Sequence, residues 1–338
     1  MLVLCQESLT FMELILRRKL SRKWMNFFFI TCLLFLVVKR YFQVCRVPTQ
    51  SHSFISFNTH PPEELPINYE GEFSVITYNI AGLPQLICSA VTERSSSIAE
   101  IGRRLNDYDI VHVQEDFNYN SFLYYSGNEH PYKTKTKGGV PFGDGLNTLS
   151  KYRITEIHRI PWNNCTGADC LTPKGFTFSK IEVGKGVFID FYNVHANAAD
   201  DPAAAAARRK NMIQLSNYIK EHSGDRAVIV MGDLNAHFCY EHDNIRDLLA
   251  QNGLKDAWVT LKAKDSFPAF KKFVKEDILK LTDDCESIDK ILFRSSADLL
   301  LTPNAYRFEN EKFNNKEGIP LSDHCPVSLS FSWQQRSY

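Results

Sequence analysis

Short apolar runs recur through residues 71–335, separated by turns and helical patterns, and they predict the strands of one α/β domain. A Gly-Lys-Gly triplet at residues 184–186 joins two of these runs and predicts a β-hairpin. The predicted strands are FSVITYNIAG, DIVHVQED, GLNTLSKYRI, GFTFSKIEV, GVFIDFYNVHA, AVIVMGDLN, SIDKILFRS and PVSLSFSW.

Helices are predicted between the strands, and two of them carry start signals. In TERSSSIAEIGRRLNDY, Ile98, Ile101 and Leu105 share one face, and Thr92 or a following serine is expected to cap the N-terminus. DDPAAAAARRKNMIQLSNYIKEH is expected to use Asp201 as its N-cap, with a proline in the first turn. A shorter helix is expected in IRDLLAQNGL.

The N-terminal part of the chain has a different pattern. Residues 24–38 are almost wholly apolar and follow a basic segment, 1–23; as a helix they would span about 22 Å, less than the ~30 Å hydrocarbon core. A signal anchor and the apolar region of a cleaved signal peptide both fit this pattern. Charges directly after the run, and the lack of an Ala-x-Ala site, favour the anchor.

The charges around that segment predict its orientation. Five basic residues precede it, which places the N-terminus in the cytosol and the body on the lumenal or extracellular side, secreted if the leader is cleaved. The proline-rich residues 39–70 are expected to form a linker to a catalytic domain at 71–335.

Charge and cysteine content narrow the class of protein. The 338 residues include 39 basic and 39 acidic ones, but the first 40 hold an excess of five basic groups, so the remainder has a net charge of −5. An acidic body does not favour a protein that grips long nucleic acid through its phosphates. Cys165 and Cys170 lie in a turn rich in Gly, Asp and Asn, which predicts a local disulfide.

Polar side chains end five of the predicted strands at comparable positions. Turns favour Asn and Asp, so one such residue would carry little information. Five sets predict that the strand ends converge on a single site. The candidate residues are Asn79, Glu115, His195, Asn197, Asp233, Asn235, Asp323 and His324.

The carboxylates among these residues suit a divalent metal. Mg²⁺ prefers oxygen ligands and keeps several waters when it is bound to protein. We therefore expect a metal site at Glu115, with Asn79 or Asp323 beside it. Such a site would assist the attack of water on a phosphorus ester.

The remaining polar residues suit acid–base catalysis. Asp233 is expected to orient or deprotonate the attacking water, and Asn235 to donate a hydrogen bond to the phosphoryl oxygens. His195 and His324 are expected to share the acid and base steps, and the sequence does not decide which does which. Asp289, in SIDKILF, is expected to hold a histidine in one tautomer.

Six short motifs follow one another along the chain: YNIAG, VQE, NVH-x-N, GDLN, SIDKILF and SDHCPV. They resemble the endonuclease/exonuclease/phosphatase superfamily, typified by deoxyribonuclease I, abasic-site endonucleases, inositol polyphosphate 5-phosphatases and neutral sphingomyelinases. The resemblance implies an α/β fold, a four-layer sandwich of two central mixed β-sheets flanked by helices. It implies a phosphoric ester hydrolase with Mg²⁺ at Glu115, or else Mn²⁺ or Ca²⁺. It also implies a water-activating Asp233, phosphate contacts from Asn235 and His195, and an Asp323–His324 pair.

The resemblance leaves the phosphate ester open. An inositol 5-phosphatase would carry Trp-Cys-Asp-Arg where this chain has SIDKIL, and abasic-site endonucleases are typically basic. NVHANAADD, the arginine-bearing helix after it, and residues 174–176 are similar to segments of neutral sphingomyelinases, although Asn197 stands where Gln is usual. A membrane phospholipid such as sphingomyelin is therefore the expected substrate, and the N-terminal segment would keep the enzyme at the membrane.

Two alternative substrates stay open. A deoxyribonuclease-like endonuclease of the secretory route would meet DNA phosphates through KTKTKGG at residues 133–139, and a small phosphorylated metabolite is another candidate substrate. The aromatic residues 117–125 would either contact a bilayer or pack under a surface loop. A non-catalytic binding module is disfavoured, because the set of acids, amides and histidines is complete.

Overall fold

Two mixed β-sheets form the centre of the computed structural model, which describes residues 49–50, 54–56, 65, 67–272 and 277–336. In these ranges the strands are β1 (Thr49–Gln50), β2 (Phe54–Ser56), β3 (Glu70–Asn79), β4 (Ile110–Gln114), β5 (Tyr132–Thr134), β6 (Asn147–Ser150), β7 (Arg153–Pro161), β8 (Gly175–Gly184), β9 (Val187–His195), β10 (Val228–Asp233), β11 (Lys255–Asp256), β12 (Asp289–Arg294), β13 (Leu299–Phe308) and β14 (Val327–Gln335). The helices are α1 (Arg94–Arg104), α2 (Asn120–Tyr125), α3 (Pro202–Ser223), α4 (Ile245–Asn252) and α5 (Ala257–Leu261).

The described strands divide equally between the sheets. The first sheet has the order β1-β7-β8-β9-β10-β12-β11, and the second has the order β13-β14-β3-β4-β6-β5-β2. β9 and β10 are parallel in the first sheet, β3 and β4 are parallel in the second, and the other described pairs are antiparallel. The predicted α/β sandwich with two central mixed sheets is confirmed.

Strand periodicity explains how helices cover these sheets. Successive side chains of a strand point to opposite faces. In β3, Val75 joins the apolar cluster between the sheets, whereas Ile76 packs with Ile98 and Ile101 of α1. On the first sheet, Leu215 of α3 joins the same central cluster as the strands. The helices therefore bury one face each and flank the two sheets.

The observed N-cap residue agrees with the sequence prediction for α3 and differs from it for α1. Asp201 caps α3 as predicted, accepting backbone N–H bonds from the first turn, with Pro202 directly after it. The predicted cap of α1 by Thr92 or a following serine is wrong, because the Glu93 carboxylate accepts two backbone N–H bonds there. The Thr92 hydroxyl instead accepts a hydrogen bond from Arg94 at 3.0 Å.

The sequence patterns did not predict three strands at the sheet edges, which are β13, β1 and β2. β13 contains Pro303, which has no N–H to donate; it is tolerated because β13 is an edge strand with an irregularity between Pro303 and Ala305. β1 and β2 lie in the range expected to be a linker and pair with β7 and β5.

The predicted anchor or leader at residues 24–38 lies outside the described residues. Within the described ranges, none of the helices has the length and apolar character needed to cross a bilayer. The described residues belong to one compact unit, Val47–Tyr338.

Candidate active site

Strand register brings three of the predicted residues to one end of the first sheet. Asp233, the last residue of β10, is paired with His195 on the parallel strand β9 and with Asp289 on the antiparallel strand β12. In the second sheet, Asn79 ends β3 opposite Gln114, so Glu115 leaves β4 beside it. Packing of the two sheets then places the two strand ends against each other.

Asn79 joins the two sheets at this point. Its Nδ2 donates to Glu115 Oε1 at 3.1 Å and to Asp233 Oδ2 at 3.2 Å, and lies 3.4 Å from His324 Nε2. Its Oδ1 accepts from the Ala81 N–H. The amide nitrogen, not the oxygen, therefore faces the carboxylates, and the amide holds the two acids in place.

Asp289 contacts His324 rather than His195. The His324 Nδ1 lies 2.8 Å from Asp289 Oδ2, and its Nε2 lies 3.8 Å from Asp233 Oδ2. Burial alone would lower the pKa of His324, but the Asp289 and Asp233 carboxylates outweigh it and raise the pKa to about 10. The two carboxylates therefore favour the protonated form of His324.

His195 has the opposite electrostatic environment. Its Nε2 lies 3.5 Å from Asp233 Oδ2, and its ring is almost wholly buried. Burial lowers the pKa of His195 well below its usual value, and the positive charges of Lys174 and His324 lower it further. The pKa values of the two histidines are thus shifted in opposite directions beside one carboxylate.

Two site residues have left-handed backbone conformations. Glu115 has φ 57° and Asn235 has φ 49°, values that are uncommon for residues other than glycine. The Asn235 N–H donates to Asp233 Oδ1 at 3.1 Å, and its Nδ2 donates to the Ala196 carbonyl oxygen at 3.2 Å. Such strain persists where surrounding structure fixes it, and it clusters at functional sites.

Asp323 and Asn197 lie at the margins of this cluster. Asp323 Oδ1 accepts from the Ser322 hydroxyl at 3.4 Å, and its charge acts on Glu115 and His324. Asn197 is directed to a neighbouring loop, where its Oδ1 accepts from the Thr166 N–H at 2.8 Å. Asn197 therefore supports the loop that borders the site.

Sequence reasoning did not include Lys174 among the site residues. Its Nζ forms an ion pair with Asp169 Oδ1 at 2.7 Å, and its charge acts on both Glu115 and His195. The predicted disulfide between Cys165 and Cys170 is confirmed and closes the loop that carries Asp169. A similarity of residues 174–176 to other chains was the only sequence signal for this lysine.

The donor set of the site fits a divalent cation. Ligand atoms of Asp233, Asp289 and His324 lie within 4.8 Å of one another, and Glu115 is hydrogen-bonded to the same Asn79 as Asp233. Within the described residues, Asp289 Oδ1 is buried and accepts no hydrogen bond. A concentration of carboxylate oxygens of this kind suits Mg²⁺, Mn²⁺ or Ca²⁺.

A second group of potential ligands consists of His237, Cys239 and Glu286. The Lys290 Nζ lies 3.1 Å from Glu286 Oε1 and 4.0 Å from the Phe238 ring centroid. This buried ammonium already neutralises the carboxylate and would repel a cation at short range. We assign no metal to this group.

Comparison with known proteins identifies the family. The family model described as Endonuclease/Exonuclease/phosphatase family 2 matches residues 87–330. A sphingomyelinase from Mycobacterium bovis is 40% identical over 270 residues, which cover 78% of this chain and 53% of that protein. The chain therefore spans about half the length of the curated relative it matches.

Solved structures share the fold. A Staphylococcus aureus beta toxin with bound magnesium ions has a TM-score of 0.54 at 16% identity, covering 77% of this chain and 99% of that one. D. rerio TDP2 complexed with a single-strand DNA product has a TM-score of 0.54 at 17% identity, covering 77% and 98%. The family match extends over Glu115, His195, Asp233 and His324. The chain belongs to Endonuclease/Exonuclease/phosphatase family 2.

Proposed function

We propose that this protein is a Mg²⁺-dependent phosphodiesterase that hydrolyses a membrane phospholipid, with sphingomyelin as the preferred candidate. The observation that carries the chemistry is a buried Asp233 carboxylate with Asn79, His195 and His324 around one of its oxygens, at 3.2, 3.5 and 3.8 Å. The candidate lipid comes from the Mycobacterium bovis sphingomyelinase, at 40% identity.

Asp233 is the proposed water-activating group. Asn79 donates to its Oδ2, and the Asn235 N–H donates to its Oδ1, so both oxygens are fixed in direction. A carboxylate held in this way accepts a hydrogen bond, and then a proton, from a water placed beside a phosphorus atom. Asn235 is proposed to donate to a phosphoryl oxygen, because its side chain borders the same carboxylate.

The histidines are proposed to divide the remaining work. His324, protonated and oriented by Asp289, stabilises negative charge as it develops on the phosphoryl group and protonates the departing oxygen. His195 stays neutral because it is buried, so it donates a neutral hydrogen bond without adding charge. The Asp289–His324 contact of 2.8 Å fixes which ring nitrogen faces the substrate.

Glu115 and Asp323 are the residues proposed to hold Mg²⁺, with Mn²⁺ and Ca²⁺ as alternatives. When bound, the ion would polarise a phosphoryl oxygen and offset the charge of the site's carboxylates. The hydrogen bond from Asn79 to Glu115 and the charge of Asp323 acting on Glu115 support this assignment, and a beta toxin of the same fold contains magnesium ions. Asn79 would act by orienting the Glu115 carboxylate, to which it donates.

The protein is further proposed to act at a membrane. Residues 24–38 would anchor it, with the catalytic body on the lumenal or extracellular side. The composition of the N-terminal segment supports this proposal, because basic residues precede the apolar run.

DNA is the second candidate substrate, since TDP2 of the same fold has been observed with a DNA product. The test uses the purified full chain with Mg²⁺, and compares phosphocholine release from sphingomyelin vesicles with nicking of supercoiled DNA. Asp233→Ala serves as the blank. We expect phosphocholine release that stops when the metal is chelated and returns when Mg²⁺ is added. Nicking without lipid hydrolysis would refute the phospholipid proposal in favour of a nuclease.

A further inference from the structure

The loop that follows Asn79 exposes three aliphatic side chains. Leu86 is 98% exposed, Ile87 64% and Val91 82%, all within residues 83–92. Single exposed apolar residues are ordinary, but several on one loop mark a surface that meets an apolar partner. The same loop contains no charged residue.

Hydrogen bonds hold this loop in a defined shape. The Gln85 N–H donates to the Tyr119 hydroxyl oxygen at 3.1 Å, and the Arg94 N–H donates to Gln85 Oε1 at 2.8 Å. The Ile87 N–H donates to the Pro84 carbonyl oxygen at 2.9 Å. These hydrogen bonds fix the backbone of the loop, while its aliphatic side chains are exposed.

The loop is attached directly to the catalytic cluster. The Gly82 N–H donates to the Glu115 carbonyl oxygen at 3.0 Å. The Arg94 guanidinium donates to the carbonyl oxygens of Ala81 at 3.1 Å and of Ile80, the residue after Asn79, at 3.2 Å. The base of the loop is therefore fixed to the segments that carry Asn79 and Glu115.

A second loop lies beside the first on the same side of the site. Residues 315–321 lead into Asp323 and His324, and their partly exposed Ile319 precedes Pro320. The Pro320 carbonyl oxygen lies 3.5 Å from the Thr92 hydroxyl of the first loop. Arg94 also donates to the Leu321 carbonyl oxygen at 2.7 Å, so one buried side chain joins both loops.

We propose that the tips of these two loops form a docking rim, made of Leu86, Ile87, Val91 and Ile319, that inserts into a zwitterionic lipid surface. The proposal rests on the proposed phospholipid substrate, and it names the surface that brings the site to that substrate. Charge decides the kind of lipid. The first loop has no charge, and the second has one lysine and one glutamate, so the rim lacks the cationic cluster that anionic lipids or DNA phosphates require.

The first test separates docking from chemistry. Full-chain protein is assayed on sphingomyelin in phosphatidylcholine vesicles and on the soluble diester p-nitrophenylphosphocholine. For a Leu86→Ser, Ile87→Ser, Val91→Ser variant, we expect the ratio of vesicle to soluble turnover to fall about tenfold or more, since apolar burial drives interfacial binding. Ile213→Ser is the control for loss of an exposed aliphatic side chain, because Ile213 is 52% exposed and lies on α3, not on either loop. An unchanged ratio in the triple variant would overturn the docking rim.

The second test does not depend on turnover, and position 213 controls for quenching that arises from the N-terminal segment and its Trp24. Leu86→Trp and Ile213→Trp are each placed in the Asp233→Ala background, and emission is measured with vesicles of brominated phosphatidylcholine. Quenching above the signal of the four native tryptophans is expected at position 86 and not at position 213. Equal quenching at both positions, or at neither, would refute insertion of the rim.

The two tests distinguish failure of the rim from failure of the proposed function. Wild-type protein that hydrolyses neither lipid nor soluble diester would refute the phosphodiesterase proposal, while the quenching experiment would still decide the docking rim. Normal vesicle turnover with no quenching at position 86 would leave the enzyme in place and refute the rim alone.

Discussion

Replacement of Arg94 tests whether one buried side chain sets the geometry of both loops at the site. Arg94 is fully buried, and its guanidinium donates to the carbonyl oxygens of Ile80, Ala81 and Leu321 at 3.2, 3.1 and 2.7 Å. Ile80 follows Asn79, and Leu321 lies two residues before Asp323. Arg94→Met keeps most of the side-chain volume and removes every one of these donors.

The expected loss of stability follows from the groups left behind. Each buried carbonyl oxygen without a donor costs about 1–3 kcal/mol. The Ile80 and Leu321 oxygens lose the Arg94 donor, whereas the Ala81 oxygen still accepts from the Cys88 thiol at 3.1 Å. Removing a buried charge and adding apolar contact offsets part of that loss. We expect Arg94→Met to lower the free energy of unfolding by about 3 kcal/mol. Arg94→Lys should lose nearly as much, because a single ammonium group lacks the planar fork that spans three carbonyls.

The assay is urea denaturation of the full chain at fixed metal concentration, combined with turnover on the soluble diester. Arg103→Met is the matched control, since Arg103 is on the same helix but half-exposed, and its guanidinium pairs with Glu100 and donates to the Ser126 carbonyl oxygen at the surface. Turnover of Arg94→Met should fall even where the protein remains folded, because Asn79 and His324 are then less well placed. A stability loss under about 1 kcal/mol with normal turnover would refute this account of Arg94.

Two further predictions concern catalysis and pH. Asp233→Ala and His324→Ala should each reduce turnover by ~10²-fold or more, through loss of acid–base and charge-stabilising groups; near-normal activity in either variant would remove its assigned role. His112 lies between the sheets, where burial lowers its pKa to about 3 from the ordinary 6.5. The unfolded chain therefore binds more protons between these values, and stability is lost as pH falls from 6.5 towards 3. This amounts to about 3 kcal/mol between pH 7 and pH 4. Urea denaturation at both pH values should show that stability falls less at the lower pH for His112→Phe than for the wild-type protein. An equal fall in the two proteins would contradict the low pKa of His112.

Local sequence patterns predicted the elements that depend on local forces. The apolar run of β10 was predicted from the sequence because a strand buried on both faces needs apolar side chains. Asp201 and Pro202 predicted the start of α3, because a capping side chain satisfies backbone N–H donors within the same turn. The candidate residues at strand ends could be predicted from the sequence for a related reason, because polar groups directly after buried strands need partners.

Contacts between segments that are distant in sequence could not be predicted from local patterns. Asn79 and Asp233 are 154 residues apart, and only the packing of two sheets brings them to 3.2 Å. The sequence predicted a histidine partner for Asp289 but did not identify His324. The sequence also missed the Pro303-containing strand β13, because a proline signals a break unless an edge position removes the need for its N–H.

Protonation and exposure were likewise decided by the tertiary structure. His195 and His324 are the same residue type, yet burial and charged neighbours lower the pKa of one and raise that of the other. Leu86 and Leu215 are equally apolar in sequence, but one is exposed beside the site and the other lies in the core. The sequence alone determined most of the central strands, the family motifs and the candidate residues, because hydrophobic period and local hydrogen bonding act over a few positions. Which of those residues meet, and in what charge state, follows from sheet packing and desolvation, which act between parts of the chain far apart in sequence.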